Sequence, residues 1–209
     1  MKKTIIAFTL AEVLIVIGII GLIAEFTLPE LINNFQEQIY KTSYKKAYSA
    51  LSQVYSMIVA ENNWTIKGAF STPNEFRDLF LSKMSYIKKC DWAEVQGGCW
   101  NSIGAYTLTG QTIIGGGSGW WFYPSVVGAV LKDGTSLIFD VNYDVYQCNN
   151  SAATYPECAR AFIDTNGLKP PNRAGKDILW IYIYEDRMKP FGNGTSCTGF
   201  NCSSYYLMN

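Results

Sequence analysis

From Ile5 to Leu28 almost every position is apolar, and only Glu12 and Glu25 carry charge. The strictly uncharged part, Val13 to Ala24, falls short of the roughly 20 apolar residues that a membrane span requires. Ile5 to Ala24 is long enough but encloses a carboxylate. The pattern changes further on. Ile39, Tyr40, Tyr44, Ala47, Tyr48, Leu51, Val54, Tyr55, Ile58 and Val59 recur at steps of three and four, the period of a helix with one apolar face. Lys41, Lys45, Lys46, Ser49, Ser52 and Gln53 fill the intervening positions. The spacing predicts one helix from about Thr9 to Asn62, amphipathic only in its second half. Pro29 falls inside it without the backbone N–H that its turn would use, so a bend or loosened turn is expected near Phe26 to Pro29.

A one-sided helix needs a partner layer, and the remaining chain supplies strand patterns. A short helix is expected around Asn74 to Leu81. Strands are expected at Ala105–Leu108, Val126–Leu131, Ser136–Val141 and Ile178–Tyr184, with Lys132-Asp133-Gly134-Thr135 as a hairpin turn. The fold class is α+β: a long bent N-terminal helix packed on an antiparallel β-sheet globular domain that occupies residues 63–209. Gly115 to Gly119 reads as a flexible turn, because no Gly-Lys-Ser/Thr accompanies it.

Composition narrows the function. The 209 residues balance 17 Lys+Arg against 17 Asp+Glu, which leaves no electrostatic case for nucleic-acid binding. Histidine is absent, removing Ser-His-Asp and Cys-His catalysis and His-ligated zinc, and the chain is not expected to be an enzyme. Six cysteines, all between Cys90 and Cys202, suit an oxidising compartment. By spacing they group as Cys90 with Cys99, Cys148 with Cys158, and Cys197 with Cys202, although six cysteines permit about 15 pairings. No Cys-x-x-Cys accompanies them, so disulfides are favoured over zinc.

The N-terminus, Lys2-Lys3-Thr4-Ile5-Ile6-Ala7 followed by Phe8-Thr9-Leu10-Ala11-Glu12-Val13-Leu14-Ile15-Val16-Ile17-Gly18, resembles the signal of type IV pilins and type II secretion pseudopilins. The resemblance covers roughly the first 35 residues. It implies a leader of residues 1–7, removed by a prepilin peptidase between Ala7 and Phe8, with Phe8 then N-methylated. Alanine stands where the family usually carries glycine. Residues 8–62 would form the family's long helix, with 8–28 spanning the membrane and later packing in a filament core. Phe8 and Glu12 would carry assembly, the carboxylate of one subunit pairing with the terminal amine of the next, and Pro29 would mark the kink.

The implied partners are prepilin peptidase, copies of the chain or other pilin-like subunits, and the inner membrane. The implied location is single-pass, with the globular part outside the cytoplasm, then an extracellular filament or a periplasmic pseudopilus. Major pilin, minor pilin and pseudopilin remain open, as does an adhesive or binding module that uses the helix for display.

Phe162 to Asp177 resembles a loop of bacterial pilin-like soluble domains, with Asp164, Asn166 and Asp177 as candidate calcium ligands. An Asx-type turn launching the strand Ile178–Tyr184 is the alternative. Trp120-Trp121-Phe122-Tyr123 and Ser203-Ser204-Tyr205-Tyr206 are candidate aromatic contact surfaces, or core.

Overall fold

The computed structural model describes residues 9–102, 105–110, 112–114, 124–141, 148 and 157–208. Helix α1 runs from Leu10 to Glu61 and continues through Pro29 without interruption. The chain divides into two units, Met1–Ile39 and Tyr40–Asn209. The first is the apolar beginning of α1, and every large apolar side chain described in it is exposed.

The second unit is built on a six-stranded antiparallel sheet, in the order β1 (Tyr86–Cys90), β4 (Val126–Leu131), β5 (Ser136–Asp140), β6 (Glu157–Asp164), β7 (Ile178–Tyr184) and β8 (Met188–Pro190). A two-stranded ribbon joins β2 (Ala105–Tyr106) to β3 (Thr112–Ile114). Alternation along the strands divides residues between two faces. Val127, Leu137, Phe139, Ala161, Ile163, Leu179, Ile181 and Ile183 share the main core with Tyr44, Ala47, Leu51, Val54, Tyr55, Ile58 and Val59 of α1. The helical period thus selects the residues that cover the sheet.

Helix α2 (Pro73–Leu81) adds Phe76 and Phe80 to this core. Its start is closed reciprocally: Glu75 N donates to Thr72 Oγ1 at 3.1 Å, and Ser71 N donates to Glu75 Oε2 at 2.7 Å, with Pro73 in the first turn. A second core lies on the opposite sheet face. There a segment containing the single turn α3 (Trp92–Glu94) brings Val95 and Trp100 against Val126, Ile138, Phe162 and Ile178. The last helix, α4 (Cys202–Met208), returns Cys202 and Tyr206 to the main core.

Disulfides join Cys90 to Cys99, Cys148 to Cys158 and Cys197 to Cys202, the partners that spacing groups together. The hairpin between β4 and β5 turns at Gly134, whose φ of 89° lies where glycine is favoured. The expected strand Ala105–Leu108 stops at Tyr106, because Gly110 N donates to Thr107 O at 3.0 Å and the chain turns there.

Candidate functional site

The apolar half of α1 is the largest chemical irregularity of the molecule. Leu14, Ile15, Val16 and Ile17 are consecutive, so they point to all sides of the helix, and each is more than half exposed. An amphipathic helix would bury one such face. One that is apolar all round belongs in a bilayer or among other helices. α1 is long and apolar enough to cross a membrane.

The helix begins with a local device. Thr9 N and Thr9 Oγ1 donate to Glu12 Oε2 at 2.8 and 2.7 Å, while Glu12 N donates to Thr9 Oγ1 at 3.2 Å. This is a capping box, satisfying two helix-start donors reciprocally. Glu12 is therefore oriented toward the N-terminal end of its own helix. Ala7 and Phe8 lie outside the described residues. Near Pro29, Thr27 Oγ1 donates to Ile23 O at 2.9 Å, occupying a carbonyl one turn back.

The acidic loop lies in the second unit. β6 ends at Asp164, and the chain passes through the cis Pro170–Pro171 bond and Asn172 at φ 51° before β7 begins. Asp177 accepts from Asn172 N at 2.7 Å and Arg173 N at 2.6 Å, one to each oxygen. Asp164 Oδ1 accepts from Asn166 N at 3.2 Å. With the Asn172 amide turned so that its nitrogen faces inward, Nδ2 donates to Asp164 Oδ2 at 3.2 Å. Asn166 Nδ2 donates to Pro170 O at 2.9 Å.

These bonds bring Asp164, Asn166 and Asp177 together as a hydrogen-bonded turn. Among the described residues no group of three or more His, Cys, Asp or Glu gathers as metal ligands. Both carboxylates accept N–H donors, the pattern of an Asx-type turn, while Asn166 Oδ1 is buried without a hydrogen-bond partner.

The two carboxyls are nevertheless costly to ionise. Burial raises Asp164 well above the ordinary carboxyl range, and the charge of Asp177 adds to this, against the opposing N–H groups of Asn166 and Gly167. Burial also raises Asp177, opposed by the N–H groups of Arg173 and Asn172. A group raised in the folded state keeps its proton where the unfolded chain has released it. Its contribution is complete below the ordinary carboxyl value of about 3.9 and is lost as pH rises through the folded value. Asp164→Asn is therefore expected to unfold at a temperature close to the parent's at pH 4 and several degrees above it at neutral pH. Thermal unfolding of both proteins across that range checks this, and an unchanging difference would refute it.

The candidate aromatic surfaces divide. Trp120 to Tyr123 lie outside the described residues. Ser203, Ser204 and Tyr206 are buried, and Tyr206 OH donates to Gly175 O at 3.1 Å, so this segment serves the core. Sequence reasoning missed a different cluster on the sheet face opposite α1. Trp180 stacks on Phe191 with ring centroids 4.4 Å apart, Phe162 and Phe200 close around it, and the Arg160 guanidinium lies 5.7 Å from the Trp180 ring centre. The alternating Trp180 and Tyr182 of the predicted strand are its sequence signal. No protein-family model matches the chain, and no characterised protein or solved structure matches it significantly.

Proposed function

We propose that the protein is a membrane-inserted structural subunit of the pilin-like class. More particularly, it is a type IV pilus or pilus-like filament subunit, made as a precursor, trimmed between Ala7 and Phe8 by a prepilin peptidase, methylated at Phe8 and assembled through α1. The observation that carries this reading is an uncovered helix, apolar on every side, continuous with the amphipathic segment that anchors a disulfide-bonded sheet domain.

The physical case rests on what such a helix requires. A segment of this kind is stable in lipid or against like helices, where every backbone group is already bonded internally. Glu12 lies near the start of the span and caps its own helix, but an ionised carboxylate packed among apolar helices still carries a desolvation cost. The terminal amine of a neighbouring subunit would offset that cost, since a buried charge needs a partner. Three short-range disulfides suit an oxidising compartment, which supports a sheet domain outside the cytoplasm and a precursor held in the inner membrane. Minor pilin and pseudopilin are variants of the same reading, and they differ in abundance and filament system.

The test is the intact mass and N-terminal sequence of the full chain produced with a prepilin peptidase. A product beginning at Phe8 is the expected result. A chain still beginning at Met1, or cut beyond Ala24, overturns the assembly mechanism.

A further inference from the structure

Trp64 stands out as an exposed aromatic held by an unfavourable backbone. It follows the end of α1, is 77% exposed, and has a φ of 63°, directly after Asn63 at 55°. Tryptophan is well buried on average. Two successive non-glycine residues in the left-handed region are uncommon, and such strain is retained where surrounding structure enforces it. Here Trp64 N donates to Val59 O at 2.7 Å and Ile66 N donates to Glu185 O at 3.0 Å. The loop is thereby tied to the turn between β7 and β8, and neither bond requires an indole at position 64.

The indole borders an indentation of about 350 Å³, lined also by Thr65, Tyr184, Glu185, Asp186 and Arg187. That volume lies within the usual range for small-ligand sites. Thr65 Oγ1 donates to Glu185 Oε1 at 3.2 Å, Arg187 pairs with Asp186 at 3.2 Å, and its guanidinium lies 5.4 Å from the centre of the Tyr184 ring. An anionic ligand would meet two carboxylates. A cationic one would meet Arg187, which already occupies the ring face and one of those carboxylates. A neutral polyhydroxylated ring suits all of them: its C–H face lies on the indole, and its hydroxyls donate to Glu185 and Asp186 and accept from Arg187.

We infer that Trp64, Glu185, Asp186 and Arg187 form a binding site for a neutral saccharide. The site is independent of leader processing and filament assembly, and neither stands or falls with it.

The experiment applies the full-length protein, in a polyoxyethylene detergent free of sugar headgroups, to immobilised neutral, N-acetylated, sialylated and sulfated oligosaccharides. Titration calorimetry then follows with whichever is retained. At least one neutral or N-acetylated oligosaccharide is expected to bind, and affinity should fall at least tenfold in both Trp64→Gly and Asp186→Ala. Both positions are exposed, so both variants should fold. Trp64→Gly should melt at or above the parent temperature, because glycine accepts that φ without strain. A merely structural tryptophan would instead lower it. Retention of charged oligosaccharides only, retention of none, binding indifferent to Trp64→Gly, or concentration-dependent self-association abolished by that variant in place of glycan binding would each overturn the inference.

Discussion

Replacing Gly175 with alanine is expected to destabilise the sheet domain by about 3 kcal/mol or more, combining left-handed backbone strain with overpacking. Gly175 has a φ of 82°, and an added Cβ would overlap the Gly199 carbonyl oxygen and lie 2.8 Å from Cys202 Sγ. The surroundings are poorly able to retreat. Gly175 N donates to Ile178 O at 2.7 Å, its carbonyl accepts from Tyr206 OH at 3.1 Å, and Gly199 sits inside the loop that Cys197–Cys202 closes. Gly134→Ala is the control: its φ is 89°, but a Cβ there meets nothing within 4 Å, so only backbone strain of about 1–2 kcal/mol applies. Denaturant midpoints should separate the two variants clearly. Equal losses would mean that the clash at position 175 is relieved by movement of the C-terminal loop.

Truncating Phe76 to alanine should cost about 3–5 kcal/mol, the range for a buried aromatic whose cavity does not collapse. The ring is fully buried, and its centre lies 4.7 Å from that of Phe70, 5.2 Å from Phe80 and 5.3 Å from Phe139. It therefore joins the loop after α1, helix α2 and strand β5. α2 is also held by Phe80 in the same core and by buried Arg77, whose Nη1 donates to Cys90 O at 2.9 Å and to Asp91 Oδ1 at 2.7 Å, so the expected loss is that of one buried ring and not of the helix's docking. Phe76→Leu should retain most of the stability, since it conserves apolar volume. The ratio of the two losses in equilibrium unfolding checks the account, and an alanine variant as stable as the leucine one would contradict it.

Much of this architecture is visible in residue order because burial is one-sided. The three-and-four spacing from Tyr44 to Val59 is also the set that meets the sheet. Ile178 to Tyr184 is apolar or aromatic throughout and forms β7. β6 is not visible in this way, although it lies between β5 and β7. Its Ala159 and Ala161 are small and weakly strand-forming, and Arg160 interrupts the run. β1 escapes for the opposite reason: it is an edge strand with exposed Lys88 and Lys89, polar residues of the kind that protect an edge from pairing further. The Thr9-to-Glu12 spacing fits a capping box, a signal masked by the apolar run around it. Asn63 at the end of a helix is a residue type that accepts positive φ, but the same conformation at Trp64 is not signalled by its residue type.

All six cysteines are paired, and none of them belongs to α1. The cross-links stitch the sheet domain to itself at short range, with separations of 9, 10 and 5 residues. Among the described residues, α1 is held to the rest of the domain by side-chain packing, the bond from Tyr55 OH to Tyr184 O at 2.9 Å, the Lys46–Asp133 and Glu61–Lys83 pairs, and the backbone that leaves it at Glu61. Oxidation stiffens the sheet domain within itself, while the seam between helix and sheet carries no disulfide, so pulling on α1 loads that seam before it loads the backbone that leaves the helix at Glu61.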